Sequence, residues 1–146
     1  SRMVIEIKQT IPSIVQPLCD LIRNYDLQEK VIVASFHPEP MYAFRETCSE
    51  VATAAVEEEI RPFFILSMLG LSGAYQPTAE AFQVPEYSGE FHVVTQSFVK
   101  NARTKNIMVQ PWTINSTEQM QTMIDLGVNG IMTDYPSRLI EQLARN

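Results

Sequence analysis

Long apolar runs are missing from this chain of 146 residues. No stretch approaches the roughly 18 residues that a membrane-spanning helix requires, and Ser1-Arg2-Met3 is not the start of a secretory signal. Ser1-Arg2 reads as a cloning remnant on a chain cut from something longer. Basic residues are also few: 11 Lys and Arg against 17 Asp and Glu leave a formal net charge of −6. That excludes nucleic acid as the default partner, because phosphate neutralisation needs clustered cations. A phosphorylated small molecule stays compatible, since it asks only for a local positive site or a bound cation. Cysteine is down to Cys19 and Cys48. Both fall in predicted helices at core-like positions, and the apolar behaviour of free cysteine points to two buried thiols rather than a disulfide.

What is present is an ordinary globular composition, 45% hydrophobic and 19% charged. At this length that supports one domain, 1–146, burying roughly 68–70% of the surface of its unfolded chain.

Six apolar runs read as strands: Met3–Lys8, Val31–Ala34, Val51–Ala55, Ala81–Val84, Ile107–Trp112 and Val128–Met132. The Val-Ile-Val-Ala run at Val31–Ala34 is of the kind buried on both faces. Helices are expected between them. Ser13 with Gln16 forms a capping box over a stripe of Ile14, Val15, Leu18, Leu21, Ile22 and Tyr25. A second helix follows Pro38 or Pro40, and a third covers Ile60–Leu71. Gly70 to Pro77 is a loop rich in Gly and Ser. Thr95 caps a helix carrying Phe98, Val99 and Ala102. Ser116 with Gln119 is another capping box, over a helix that Gly127 stops. Pro136 opens a terminal helix with Leu139, Ile140 and Leu143 inward.

Strands alternating with helices every 20–30 residues or so carry the βα rhythm of a parallel sheet. Eight such units make a (β/α) barrel of about 250 residues. This chain has room for about six, so the expected fold is α/β, a TIM-type barrel that is incomplete by about two units. In such barrels, polar side chains at the carboxyl ends of the strands form the active site.

The residues at those strand ends carry a resemblance. Trp-Thr-Ile-Asn at Trp112–Asn115 and Gly-Ile-Met-Thr-Asp-Tyr-Pro at Gly130–Pro136 resemble the closing motifs of the glycerophosphodiester phosphodiesterase family. Glu-Ile-Lys at Glu6–Lys8 resembles its third-strand motif, and Ser35-Phe36 the end of its fourth strand. The resemblance implies a barrel enzyme that cleaves glycerophosphodiesters to an alcohol and glycerol 3-phosphate with a divalent cation, Mg²⁺ or Ca²⁺. It implies that Glu6 is a metal ligand, that Lys8 contacts the substrate phosphate, and that Trp112 forms an apolar wall near the glycerol moiety.

The residue types suit those roles. A carboxylate is a hard oxygen ligand for such cations, and residues i and i+2 of a strand face the same way. A cation and an ammonium together neutralise the charge that develops during displacement at phosphorus.

The family's opening His-Arg-Gly segment, its Glu-x-Asp metal pair and the following His-Asp have no counterpart here, so the resemblance implies that the first two units of the barrel are missing and that the chain is about its last six. The general acid and base histidines are therefore expected outside this chain, leaving no catalytic residue within it. Of the two histidines present, His37 follows a strand end and is a candidate substrate contact. His92 reads as structural or solvated, and the Glu57–Glu59 run as a solvated face rather than a metal cluster. Asn115 and Asp134 read as loop and cap residues.

A barrel lacking two strands has open edges, which invite pairing with another chain. The expected partners are a glycerophosphodiester substrate and either a second copy or the absent N-terminal segment, with no nucleic acid. A membrane-lipid substrate, in a lysophospholipase-D-like activity, becomes the better reading if Phe63–Leu71 projects as an exposed apolar insertion.

Overall fold

The computed structural model describes residues 2–144. The chain forms two compact units, one made of residues up to Arg61 with Thr78–Ala81, the other of Pro62–Pro77 with the chain from Phe82 onward.

The first unit is built on a parallel sheet of β1 (Met3–Glu6), β2 (Val31–Ala34) and β3 (Ala52–Thr53), in that order. Met3 pairs with Val31 and Glu6 with Ala34, while Ile32 pairs with Ala52 on the other side. The central position explains the all-apolar β2, whose Val33 is fully buried. Two crossover helices, α1 (Val15–Asn24) and α2 (Pro38–Thr47), join the strands. Their inward faces, including Ile22, Met41 and Phe44, form one core with Ile7 and Val33.

Three expectations fail in this unit. The capping box does not form, because α1 starts at Val15 and places Gln16 too early to reach back. Ser13 Oγ instead accepts the Val15 N–H at 3.3 Å, and Gln16 bonds Asp20. Leu21 and Tyr25, assigned to the apolar stripe, are exposed. The cysteines are not free thiols either: Cys19 and Cys48 form a disulfide with their Cα atoms 5.8 Å apart. Parallel pairing of β1 with β2 lays α1 beside α2, and that neighbourhood, invisible in a 29-residue separation, brings the sulfurs together.

Helix α3 (Glu57–Met68) follows β3 and links the two units along the chain. In the second unit Phe63, Tyr75, Phe82 and Phe98 form a ring cluster with centroid separations of 4.8–6.1 Å. Strand β4 (Ala81–Pro85) neighbours the later strand β7 (Met108–Trp112). Between them lie a short hairpin, β5 (Tyr87–Ser88) with β6 (Phe91–His92), and helix α4 (Gln96–Thr104). The hairpin was not anticipated. Its signal is local: Gly89 at φ 59° opens the two-residue turn that a hairpin needs. Helices α5 (Thr117–Leu126) and α6 (Pro136–Leu143) complete the unit.

Caps follow the expected residues. Thr95 and Ser116 accept from Phe98 N and Gln119 N, and Gly127 ends α5 at φ 73°. The Gln119 side chain goes to Glu86 at 2.6 Å, so the second capping box is half made.

The expected strand at Val128–Met132 is not a strand, although Asn129 N and Met132 N donate to Val109 O and Pro111 O of β7. Pro111 has no N–H to return, and Val109 N is taken by the Asn129 side chain, so no regular ladder develops. On α6, Ile140 and Leu143 face solvent rather than inward. Among the described residues the strands make one three-stranded sheet and two strand pairs, not a closed barrel. No described helix is long and apolar enough to cross a membrane.

Candidate functional site

Alternation along β1 turns Ile7 into the core, 1% exposed, and sends its neighbours Glu6 and Lys8 the other way. The two meet there, Lys8 Nζ 3.6 Å from the Glu6 carboxylate, with Lys8 mostly solvated and Glu6 about one-third exposed. Ser35, just beyond β2, is buried; its hydroxyl donates to Ile7 O at 2.7 Å and accepts the His37 N–H at 3.1 Å. One hydroxyl thus binds the carboxyl ends of β1 and β2 and sets where Phe36 and His37 emerge. Both are exposed. A cleft of about 270 Å³ opens beside them, lined by Phe36, Pro38, Val56, Glu57, Glu58 and Arg61. His37 is not among its walls. Phe36 is, although sequence reasoning used it only as part of a motif.

The Glu57–Glu59 run is more than a solvated face. Glu57 pairs with Arg61 in solvent at 2.7 Å. Glu58 accepts the Tyr42 hydroxyl, and that bond leads the causes that push the Tyr42 pKa up to about 12. Glu59 accepts from Arg45, from the Val56 N–H and from the Thr78 hydroxyl. Burial pushes the Glu59 carboxyl up, but those donors outweigh it and hold the group below its ordinary value.

The chemistry of the donors bears on a cation. Among the described residues one group of three metal-type donors converges, Cys19, Cys48 and Glu50. Its sulfurs are spent in the disulfide, and the metal-binding form of cysteine is the thiolate. Glu50 is held by Arg23 at 2.5 Å. Ca²⁺ or Mg²⁺ needs about six oxygens. Among the described residues the group of three above is the one that converges, and Glu6 stands outside it.

In the second unit Trp112 ends β7, half-buried. The loop after it is tied closely to residues 132–138. Ile114 N donates to Met132 O at 2.9 Å. Asn115 Oδ1 accepts the Asp134 N–H at 3.0 Å and the Thr133 hydroxyl at 3.1 Å. Asn115 Nδ2 donates to Asp134 Oδ2 at 2.9 Å, and Arg138 Nη1 donates to Asn115 O at 2.6 Å. Asn115 and Asp134 are thus partners, while the caps are Ser116 and Tyr135. His92, exposed, stacks on Tyr87 in the hairpin, centroids 4.5 Å apart.

The model of the glycerophosphoryl diester phosphodiesterase family matches residues 3–138. A glycerophosphodiester phosphodiesterase of Caldanaerobacter subterraneus subsp. tengcongensis is 30% identical over 142 residues, covering 93% of this chain and 53% of that protein. One of Bacillus altitudinis is 26% identical over 142 residues, covering 94% and 54%. The chain spans about half the length of the curated relatives it matches. Among solved structures, the glycerophosphoryl diester phosphodiesterase domain of a Mycobacterium tuberculosis protein has a TM-score of 0.75 at 12% identity, over 99% of this chain and 58% of that one. That likeness shows the fold, shared with barrel enzymes.

Proposed function

This chain belongs to the glycerophosphoryl diester phosphodiesterase family, and on that footing we propose that it is part of a metal-dependent hydrolase that cleaves glycerophosphodiesters to an alcohol and glycerol 3-phosphate. The observation that supports this most is the Glu6–Lys8 pair at the carboxyl end of β1, a carboxylate and an ammonium on one face of a strand end. Lys8 holds the substrate phosphate and offsets the charge that grows on it during displacement. Glu6 contributes one oxygen to a Mg²⁺ or Ca²⁺ site whose other ligands lie outside the described residues. Trp112 packs on the glycerol moiety, and His37 contacts the substrate from the start of α2. The proton-transferring histidines come from elsewhere, so no acid or base role is given to this chain.

The test is release of glycerol 3-phosphate with added Mg²⁺ or Ca²⁺, from this chain and from a form extended upstream by about 100 residues, the complement of a full barrel. The proposal expects turnover from the extended form only, abolished by Glu6→Ala. Turnover by the short chain contradicts the assignment of the acid and base. No turnover by either form counts against the activity.

A second reading, a catalytically incomplete barrel portion that self-associates or takes up its N-terminal part, is favoured by β1. It is an edge strand with Met3 41% and Val4 43% exposed, and unpaired apolar edges recruit strands. Light scattering that finds a folded monomer at all concentrations removes it.

The lipid-headgroup reading draws on Ile65, Met68, Leu69 and Leu71, all exposed. Phe63 is buried, however, and the segment as far as Met68 is the second half of α3 rather than a projecting insertion. Co-sedimentation with phosphatidylcholine vesicles decides it: a chain left wholly in the supernatant is not a membrane-docking enzyme.

A further inference from the structure

Asn115 has two duties that few side chains can perform together. Its Oδ1 receives two hydrogens, from the Asp134 backbone N–H and the Thr133 hydroxyl. Its Nδ2 gives one to the Asp134 carboxylate. A backbone N–H only donates, so the acceptor end of the amide is fixed by its surroundings. An Asp here would lack the donor and set two carboxylates face to face; a Ser would be too short to meet both groups.

The bonds around it hold a very short span. Between Trp112 and Asn115 lies Ile114, 1% exposed, with its N–H on Met132 O. The Asn115 carbonyl is gripped by Arg138, whose guanidinium also lies over the Tyr135 ring, 4.3 Å from its centroid. Trp112 is therefore followed within three residues by an apolar anchor and a five-bond clamp. The clamp fixes the direction in which the chain leaves β7, just beyond Trp112.

We infer that Asn115 is the positioning residue of Trp112: its bonds to Asp134 and Thr133 set the indole in the place from which it meets the glycerol moiety. The last clause rests on the reading of Trp112 given under Proposed function. The positioning itself does not.

Trp112 is the single tryptophan of the chain, so its emission, acrylamide quenching and near-ultraviolet circular dichroism report this side chain alone. N115D removes the donor and opposes two carboxylates. N115D/D134N restores the pair with its polarity exchanged. The amide at position 134 then donates to the carboxylate at position 115, while the backbone N–H and the Thr133 hydroxyl keep their acceptor. N115D is expected to increase quenching of Trp112 and shift its emission, and the exchange variant to return both toward the parent. In the extended, active form N115D should raise KM with little change in kcat, the pattern of a lost ground-state contact. The KM effect should largely vanish in a Trp112→Ala background, because residues acting through one another are not additive.

A Trp112 spectrum unchanged in N115D overturns the inference, as does an exchange variant no closer to the parent than N115D. If N115D moves the spectrum but added glycerol 3-phosphate leaves the parent's Trp112 emission unaltered, positioning stands and the pocket role of Trp112 fails.

Discussion

Arg45 and Glu59 meet in a two-pronged ion pair, Nη1 2.6 Å from Oε1 and Nη2 3.0 Å from Oε2. The same guanidinium reaches Thr53 Oγ1 at 2.9 Å and Ala54 O at 3.2 Å. The pair thereby ties α2 and the first turn of α3 to the end of β3. Both side chains are mostly buried, 20% and 11% exposed, so losing one partner strands the other. Glu59→Ala is expected to cost about 2–4 kcal/mol, near the range for breaking a buried pair, measured as a lower urea midpoint.

The same pair sets an acid limit. Glu59 has its folded pKa below its unfolded one. Its contribution is therefore complete above the ordinary carboxylate range and is lost as pH falls through the lowered folded value. Urea midpoints between neutral and acid pH should decline less steeply in Glu59→Gln than in the parent over that window. Parallel curves would assign the acid sensitivity to other carboxylates.

The disulfide between Cys19 and Cys48 closes a loop of 29 residues. Its reduction should cost about 3–4 kcal/mol by the loop-entropy relation. Because both residues are 0% exposed, maleimide mass tagging should add nothing to the native oxidised chain. Two tags should appear after reduction in denaturant. Tagging of the unreduced, unfolded chain would mean the bond is not formed.

Tyr42 should be slow to ionise. Its hydroxyl donates to Glu58 and its pKa lies at about 12, so its tyrosinate absorbance should appear above the range where ordinary tyrosines titrate. Glu58→Gln should bring that phase back toward 10.0, the unperturbed value. If Tyr42→Phe removes a phase from the ordinary tyrosine range rather than from above it, the bond is contradicted.

Lys8→Ala in the extended, active form should lower kcat/KM by about 10²-fold or more, the scale for removing one charge-stabilising donor. Lys8→Arg should recover part of it. An unchanged kcat/KM removes Lys8 from the phosphate.

Much of this was readable in the chain where the signal is local. The unbroken apolar run at Val31–Ala34 ends where β2 does, because a strand paired on both sides has no solvent face to mark with polar residues. Thr95, Ser116 and Gly127 act where their chemistry predicts, since a cap needs only the residues beside it. The Glu6–Lys8 pair was readable for the same reason: a two-residue period on one strand brings it together.

What the chain alone did not determine lies where two distant segments must meet. The disulfide needed α1 laid beside α2; two cysteines in apolar stripes look alike whether or not they face each other. Asn115 and Asp134 were ordinary loop residues until β7 and residues 129–132 ran side by side. Pro111 made that same neighbour less than a strand, by withholding one N–H. Local sequence determined the elements, their caps and the strand-end motifs, because those depend on neighbours in the chain. Tertiary structure decided which sulfur finds which, which loop holds Trp112, and which carboxylate of the Glu57–Glu59 run is buried. Those depend on hydrogen-bond donors and acceptors brought within about 3 Å of each other only by packing.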